Sequence, residues 1–279
     1  MRARRARLAA PLLLLSVVLA GVCLRPARAS LKPGPVRLTV MSYNIHVGVG
    51  MDKRQDLVRI AEVIKRSRAD LVGLQEVDRG VERTGRVDEM VELARLTGMD
   101  YAFAHNLDYQ GGQYGVAVLS RFPILAVDHR RYERRPERER RGFIRVEVLA
   151  GGRRVNFVTT HLDYQSAEGR LAETRQLLGA LETVDGPLVV TGDFNEEPGG
   201  AVDRLMRGAG FVDAWPRGRA SPGGGETYPA DKPRKRIDYI YYRGAGVEGP
   251  AGGDRGSLGY VPDTLASDHR PVVVRVTLR

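Results

Sequence analysis

Pro187-Leu-Val-Val-Thr-Gly-Asp-Phe-Asn195 is an apolar run that ends in charged and amide side chains. Its first half lacks the apolar–polar alternation of a half-exposed strand and so reads as a strand buried on both faces. Asp193 and Asn195 then fall at the mouth of that strand, where polar groups are costly unless something polar fills the space between them. A second polar knot, Ser267-Asp-His-Arg-Pro271, precedes another such run, Val272-Val-Val-Arg-Val276. Asp, Asn and His are the groups that hold a hard metal ion and manage protons around a phosphate. Two knots of this kind predict a sheet edge that carries a site.

Outward from these runs, short apolar strands alternate with amphipathic helices. Strands are predicted at 37–43, 71–74, 115–119, 143–148, 155–160, 188–191, 237–242 and 272–278. Helices are predicted at 56–67, with Leu57, Ile60, Ala61 and Ile64 on one face, at 88–97, and at 168–183, with Leu171, Leu178 and Leu181 facing inward. Consecutive strands between 115 and 160 lack a crossover helix and should pair antiparallel, whereas others are joined by helices. The expected fold is α/β (α+β), with two packed mixed or antiparallel sheets and helices outside them. Residues 30–279 read as one domain without a linker. Two Gly/Pro-rich loops, 217–235 and 243–259, are long enough to be functional.

Residues 1–29 differ from the rest. A basic start, Met1-Arg-Ala-Arg-Arg-Ala-Arg7, leads into a mostly apolar stretch, and Ala27-Arg-Ala29 suits a small-residue cleavage site. A signal peptide, or an uncleaved N-terminal membrane anchor, is expected, and with it an exported protein. The segment carries six arginines and the only cysteine, so without it the formal charge falls from +10 to +4 and no disulfide can form. That +4 sits in residues 130–141, which hold seven arginines and three glutamates; the remainder is neutral. A uniformly basic nucleic-acid coat is thereby excluded, and a local basic patch is not.

Polar clusters recur at strand ends: Asn44 after 39–43, Gln75-Glu76 after 71–74, His161 after 156–160, and Asp193 with Asn195 after 188–192. Asp238 lies within 236–242, and Asp268-His269 come before the last strand. If that strand runs antiparallel to the others, its start shares their sheet edge, and all six clusters line one cleft. Singly, each has a bland reading: Asn44 as a turn former, Glu76 as a surface or capping group, the histidines as rim residues. Asp238, between Ile237 and Tyr239, needs a partner, and a histidine is the natural one.

In order along the chain, Ser42-Tyr-Asn-Ile45, Leu74-Gln-Glu-Val77, Gly115-Val-Ala-Val-Leu-Ser-Arg121, Thr160-His-Leu162, Gly192-Asp-Phe-Asn195, Arg236-Ile-Asp-Tyr-Ile240 and Ser267-Asp-His-Arg-Pro271 resemble the endonuclease/exonuclease/phosphatase superfamily, the DNase I-like metal-dependent phosphoesterases. The resemblance spans residues 36–278 and implies a four-layered α/β sandwich. It implies that Glu76 is the principal metal carboxylate, with Asn44 and Asp268 completing or supporting an oxygen-rich shell for Mg²⁺, or alternatively Mn²⁺ or Ca²⁺. By the same resemblance Asp193 orients or deprotonates the attacking water, and Asn195 holds that water or a phosphate oxygen. His269, oriented by Asp238, and His161 donate hydrogen bonds to the phosphoryl group, one of them acting as acid or base. The division of labour among Asp193, His161 and His269 stays open. His46 stands where some nuclease relatives carry an acid, which weighs against a second metal. A histidine at 161, rather than the tyrosine of abasic-site endonucleases, weighs against base-excision repair.

The expected reaction is hydrolysis of a phosphodiester, either nucleic acid or a phospholipid-type headgroup. The segment 104–114 should overhang the cleft and bring Tyr109 and Tyr114 to a leaving group, while Arg134 and Arg138 steer a polyanionic or membrane-bound substrate. One tryptophan, Trp215, and no aromatic-rich insertion offer little for base stacking. The competing reading is a catalytically inactive phosphate- or membrane-surface-binding module on the same fold, which the retained Glu76, His161, Asp193, Asn195, Asp238 and His269 disfavour.

Overall fold

The computed structural model describes residues 34–215, 224–244, 246–249, 259–262 and 264–279. The expected signal or anchor segment and parts of both long loops lie outside these residues. Among the described residues no helix is long and apolar enough to cross a membrane.

The first of two six-stranded sheets is centred on β1 (Val36–Asn44). Parallel to β1 lies β2 (Leu71–Arg79), reached through helix α1 (Leu57–Ser67); beyond it come β4 (Gly112–Ser120) and β3 (Asp100–Tyr109). On the other side of β1 are β12 (Val272–Leu278) and the short β11 (Val247–Glu248). The last strand is antiparallel to β1, as the placement of its polar knot required.

The second sheet runs in the order β5 (Ile124–Arg131), β6 (Gly142–Ala150), β7 (Arg153–His161), β8 (Leu188–Asp193), β10 (Asp238–Arg243) and β9 (Val212–Asp213). β5, β6 and β7 form an antiparallel meander, while α3 (Ala167–Leu181) makes β8 parallel to β7. Helix α2 (Glu89–Thr97) packs on the first sheet and α4 (Ala201–Gly208) on the second.

Strands buried on both faces explain the layering. On β1, Leu38 and Val40 enter the cluster between the sheets, with Val116 and Val118 from their own sheet and Ile144, Val146, Phe157 and Val189 from the other. Met41 and Tyr43 face outward and are covered by Ile60 and Ile64 of α1 and by Met90 and Leu93 of α2. On the far side, Val158, Leu188 and Val190 are covered by Leu177 and Leu181 of α3 and by Val202 and Met206 of α4. The result is a helix–sheet–sheet–helix sandwich. Helix starts are fixed by side chains: Asp56 accepts from the backbone N–H of Val58 and Arg59, Asp88 from Met90 and Val91, and Ser166 from Gly169.

Towards the strand ends that carry the polar clusters, the inter-sheet core turns from apolar to polar. Gln75 donates through Nε2 to Thr159 Oγ1 across the sheets (2.8 Å). Gly73 allows this closeness, since a Cβ there would lie 2.0 Å from Thr191 Oγ1 and 2.7 Å from Thr159 Oγ1. Four strands were absent from the sequence expectation, the two-residue β9 and β11 and the longer β3 and β5. β3 and β5 are edge strands whose exposed residues (Tyr101 and Tyr109; Leu125 and Val127) break the buried-run signal. Residues 104–114 are therefore the end of a β3–β4 hairpin and not a free loop.

Candidate active site

Three adjacent strands of the second sheet bring their polar ends into one row. Parallel pairing sets His161, the last residue of β7, beside Asp193, the last residue of β8. Antiparallel pairing sets Asp238 on the other side of Asp193. Asp238 is the first residue of β10 rather than an interior one, and it is fully buried. Directly after β8 the chain turns through Asn195, whose φ of +50° is a left-handed conformation that asparagine tolerates. Asn195 donates its backbone N–H to Asp193 Oδ1 (2.9 Å) and its side-chain amide to the carbonyl of Leu162 (3.0 Å).

The first sheet supplies the opposite wall. Gln75 and Glu76 form an irregularity in the β2–β4 pairing, between Leu74 and Val77. A bulge of this kind re-aims a side chain, and Glu76 has a φ of +57° and lines the cavity. Asn44, at the end of β1, donates through Nδ2 to Glu76 Oε1 (2.9 Å) and Asp193 Oδ2 (3.1 Å), joining the two walls. Its Oδ1 accepts the backbone N–H of His46 (3.1 Å), which fixes the amide orientation. The turn before β12 is held by Ser267, whose hydroxyl donates to the carbonyl of Asn44 (2.8 Å). That turn carries Asp268 into the cavity wall and sends His269 across to the second sheet.

The two histidines have opposite environments. His269 donates from Nδ1 to Asp238 Oδ2 (2.9 Å), an oxygen that also accepts from the Thr227 hydroxyl (2.5 Å). Burial works against charge on His269, but Asp238 and Asp193 outweigh it and push its pKa up to about 10. His161 is driven well below the ordinary histidine value by burial, with Arg141 and His269 adding repulsion. Between them, Asp193 is raised by burial and by the charge of Asp238. Its Oδ2 lies 3.5 Å from His161 Nε2 and 3.7 Å from His269 Nε2.

A cavity of about 740 Å³ opens over this row, within the size range of small-ligand sites. Of the sequence-derived candidates, Glu76, Tyr109, Tyr114, His161, Asp193, Asn195, Asp268 and His269 line it; Asn44 and Asp238 stand directly behind. Arg134 and Arg138 do not line it. Both are exposed, and Arg138 instead donates through its guanidinium to Gln165 Oε1. The arginine of that run that enters the site is its last, Arg141, which is 4% exposed and immediately precedes β6. The β6–β7 register was its signal, because Gly142 pairs with His161. Arg83 was missed as well. It pairs with Asp78 through two hydrogen bonds (2.8 and 2.9 Å) and lies over the rings of Tyr109 (4.7 Å) and Tyr114 (5.3 Å). Nothing in its local sequence separates it from a surface arginine. Tyr228, from the long loop 217–235, packs its ring 4.8 Å from that of His269.

Two carboxylate groupings could attract a cation. Asp193, Asp238 and His269 offer atoms within 4.8 Å of one another, but the His269 Nδ1–H is already committed to Asp238. Glu76 and Asp268 fit better. Both present carboxylates at the cavity wall, and hard oxygen donors suit Mg²⁺, Mn²⁺ or Ca²⁺. As placed, Asn44 steadies Glu76 and would support such a shell, since its own oxygen is taken by His46.

Comparison with known proteins agrees with this fold. The family described as "Endonuclease/Exonuclease/phosphatase family" matches residues 41–269. The uncharacterized protein YbhP of Escherichia coli K12 is 29% identical over 256 residues, covering 86% of this chain and 96% of its own. An endonuclease/exonuclease/phosphatase family protein of Bacteroides thetaiotaomicron superposes with a TM-score of 0.69 at 17% identity, covering 88% of this chain and 99% of that one. The mannosyl-6-phosphatase Bt3783 of the same species gives 0.63 at 18% identity, covering 86% and 98%.

Proposed function

Because the chain belongs to the endonuclease/exonuclease/phosphatase family, whose members are phosphoester hydrolases, we propose that it is an exported, divalent-metal-dependent phosphodiesterase. The observation that carries the reading is the row His161–Asp193–Asp238, closed by His269, opposite the Glu76 and Asp268 carboxylates in one cavity.

A divalent ion held by Glu76 and Asp268 would offset negative charge developing on the phosphoryl group and its leaving oxygen. The protein's own groups account for the rest. Asp193 is held by the Asn195 backbone N–H and the Asn44 amide, and its raised proton affinity suits it to orient a water and accept its proton. His269, kept protonated by Asp238, can stabilise a phosphoryl oxygen or protonate the departing alkoxide. Tyr109, Tyr114 and Arg83 shape one side of the cavity and suit a polar leaving group. A bounded cavity of this size favours a compact phospholipid-type headgroup or a nucleotide end over a long duplex lying flat. Export rests on the composition of residues 1–29 alone.

The test is hydrolysis of an aryl phosphodiester with Mg²⁺ or Mn²⁺, followed by a panel of plasmid DNA, RNA, sphingomyelin, phosphoinositides and, as a monoester, mannose 6-phosphate. Metal-dependent turnover is expected, with Asp193→Ala lowering kcat about 10³-fold or more. Absence of turnover on every substrate, or an Asp193→Ala protein of undiminished rate, would leave the inactive binding module as the better reading.

A further inference from the structure

His161 meets a guanidinium. Its Nδ1 lies 2.5 Å from Nη1 of Arg141. A guanidinium has five N–H donors and no acceptor, and it remains charged in proteins. For this contact to be a hydrogen bond, Nδ1 must present its lone pair. A neutral imidazole carries one N–H, which is then on Nε2, the nitrogen facing Asp193.

We propose that Arg141 is a positioning residue that locks His161 as the neutral Nε2–H tautomer, making His161 a fixed hydrogen-bond donor to the phosphoryl group and excluding it as general acid or base. The purpose of the lock rests on the phosphoesterase reading; the lock itself does not. A second proton on His161 would have to sit on Nδ1, pointing N–H against N–H and placing two cations in contact out of water. Burial and the arginine charge already depress its proton affinity.

Arg141 is itself held in place. Glu139 Oε1 lies 3.2 Å from its Nε and offsets its charge, and the Tyr164 ring lies 5.8 Å from its guanidinium carbon. The backbone beside it packs closely on β5, where a Cβ at Gly142 would lie 2.6 Å from the carbonyl oxygen of Arg130 and 2.7 Å from Asn106 Oδ1. The contrast with His269 is chemical. There a carboxylate takes the Nδ1–H and favours the cation, whereas at His161 a guanidinium takes the lone pair and forbids it. This assigns proton traffic to Asp193 and His269 and leaves His161 as an electrostatic contact.

The experiment is a long-range ¹H–¹⁵N spectrum of ¹⁵N-histidine-labelled full chain at neutral pH, with His161 assigned by loss of its signals in His161→Gln. The wild type should show the neutral Nε2–H pattern. Arg141→Leu should shift that pattern towards a tautomer mixture and lower kcat on an aryl phosphodiester about 10²-fold, with KM changed less. Arg141→Lys, which keeps a donor-only cation, should restore most of both. An Nδ1–H or imidazolium pattern in the wild type, or an unchanged pattern in Arg141→Leu with Arg141→Lys also without effect, overturns the proposal. The expected spectrum in a protein without turnover on any phosphoester would sink the phosphoesterase reading and leave the lock standing.

Discussion

His161 and His269 approach the same carboxylate oxygen from almost equal distances, 3.5 and 3.7 Å, yet the fold gives them opposite characters. His161 is the end of a strand of the second sheet, next to a buried arginine. His269 arrives on a turn from the first sheet and is received by a buried aspartate. Burial depresses the proton affinity of both; for His269 the two carboxylates reverse the outcome and for His161 the arginine reinforces it. What sets a histidine's role here is the group behind its far nitrogen rather than the residue in front of it. Asp193 thereby stands between a neutral donor and a cation.

The largest break in that asymmetry is expected from Asp238→Asn. It keeps the shape of the pair while removing the charge that holds His269 protonated, and the amide can present either end to Nδ1. With the substrate and metal fixed, kcat should fall about 10²- to 10⁴-fold. A drop of less than threefold would mean that His269 needs no carboxylate behind it. A smaller loss comes from prying apart the two sheets that carry the two histidines. Gly73→Ala forces a methyl group against Thr191 and Thr159, and overpacking of this kind costs about 2–3 kcal/mol. Calorimetry should show melting lowered by roughly 4–10 °C. An unchanged melting point would mean the sheets are not in contact at that layer.

The pH dependence of stability, measured by urea unfolding with a chelator present, should separate the histidines by sign. For His269 the folded pKa is raised from 6.5 to about 10, so its contribution is complete below about pH 6.5, declines as pH rises, and is gone above about pH 10. For His161 the folded value is lowered; the unfolded chain takes up a proton that the native state refuses, and stability falls as pH drops below about 6.5. Each slope is at most one proton, about 1.4 kcal/mol per pH unit. Relative to the parent, His269→Gln should flatten the alkaline side and His161→Gln the acid side. If the two substitutions flattened the same side, the opposite tuning would be wrong.

Much of this arrangement was legible in the sequence because it is written in strand ends. Buried runs closing in polar residues mark a sheet edge, and one antiparallel final strand suffices to bring Asp268 and His269 to the same edge as Asp193 and His161. What the sequence concealed is contact between elements distant along the chain. Edge strands β3 and β5 are partly exposed and lack a buried pattern. Arg83 reaches the cavity because Asp78 holds it against two tyrosines, and Arg141 because β6 pairs with β7. Neither fact has a local signature.

The smallest effect is expected in the arginine run itself. Arg141 is enclosed beside His161, whereas Arg134 and Arg138, only a few residues earlier, stand in solvent outside the cavity. Exposed charges act at a distance, are screened within about 8–10 Å at physiological ionic strength, and add attraction only for polyanionic or membrane-bound substrates. The double substitution Arg134→Gln, Arg138→Gln should therefore lower kcat/KM on such substrates roughly two- to fivefold at low salt and not at all near 0.3 M (a ~6 Å screening length). Hydrolysis of a small aryl diester should be unaffected at either ionic strength. A loss on the small substrate would place these two arginines at the reacting group, and an unchanged salt dependence would make them ordinary solvated surface, leaving Arg141 as the member of the run through which the fold acts on His161.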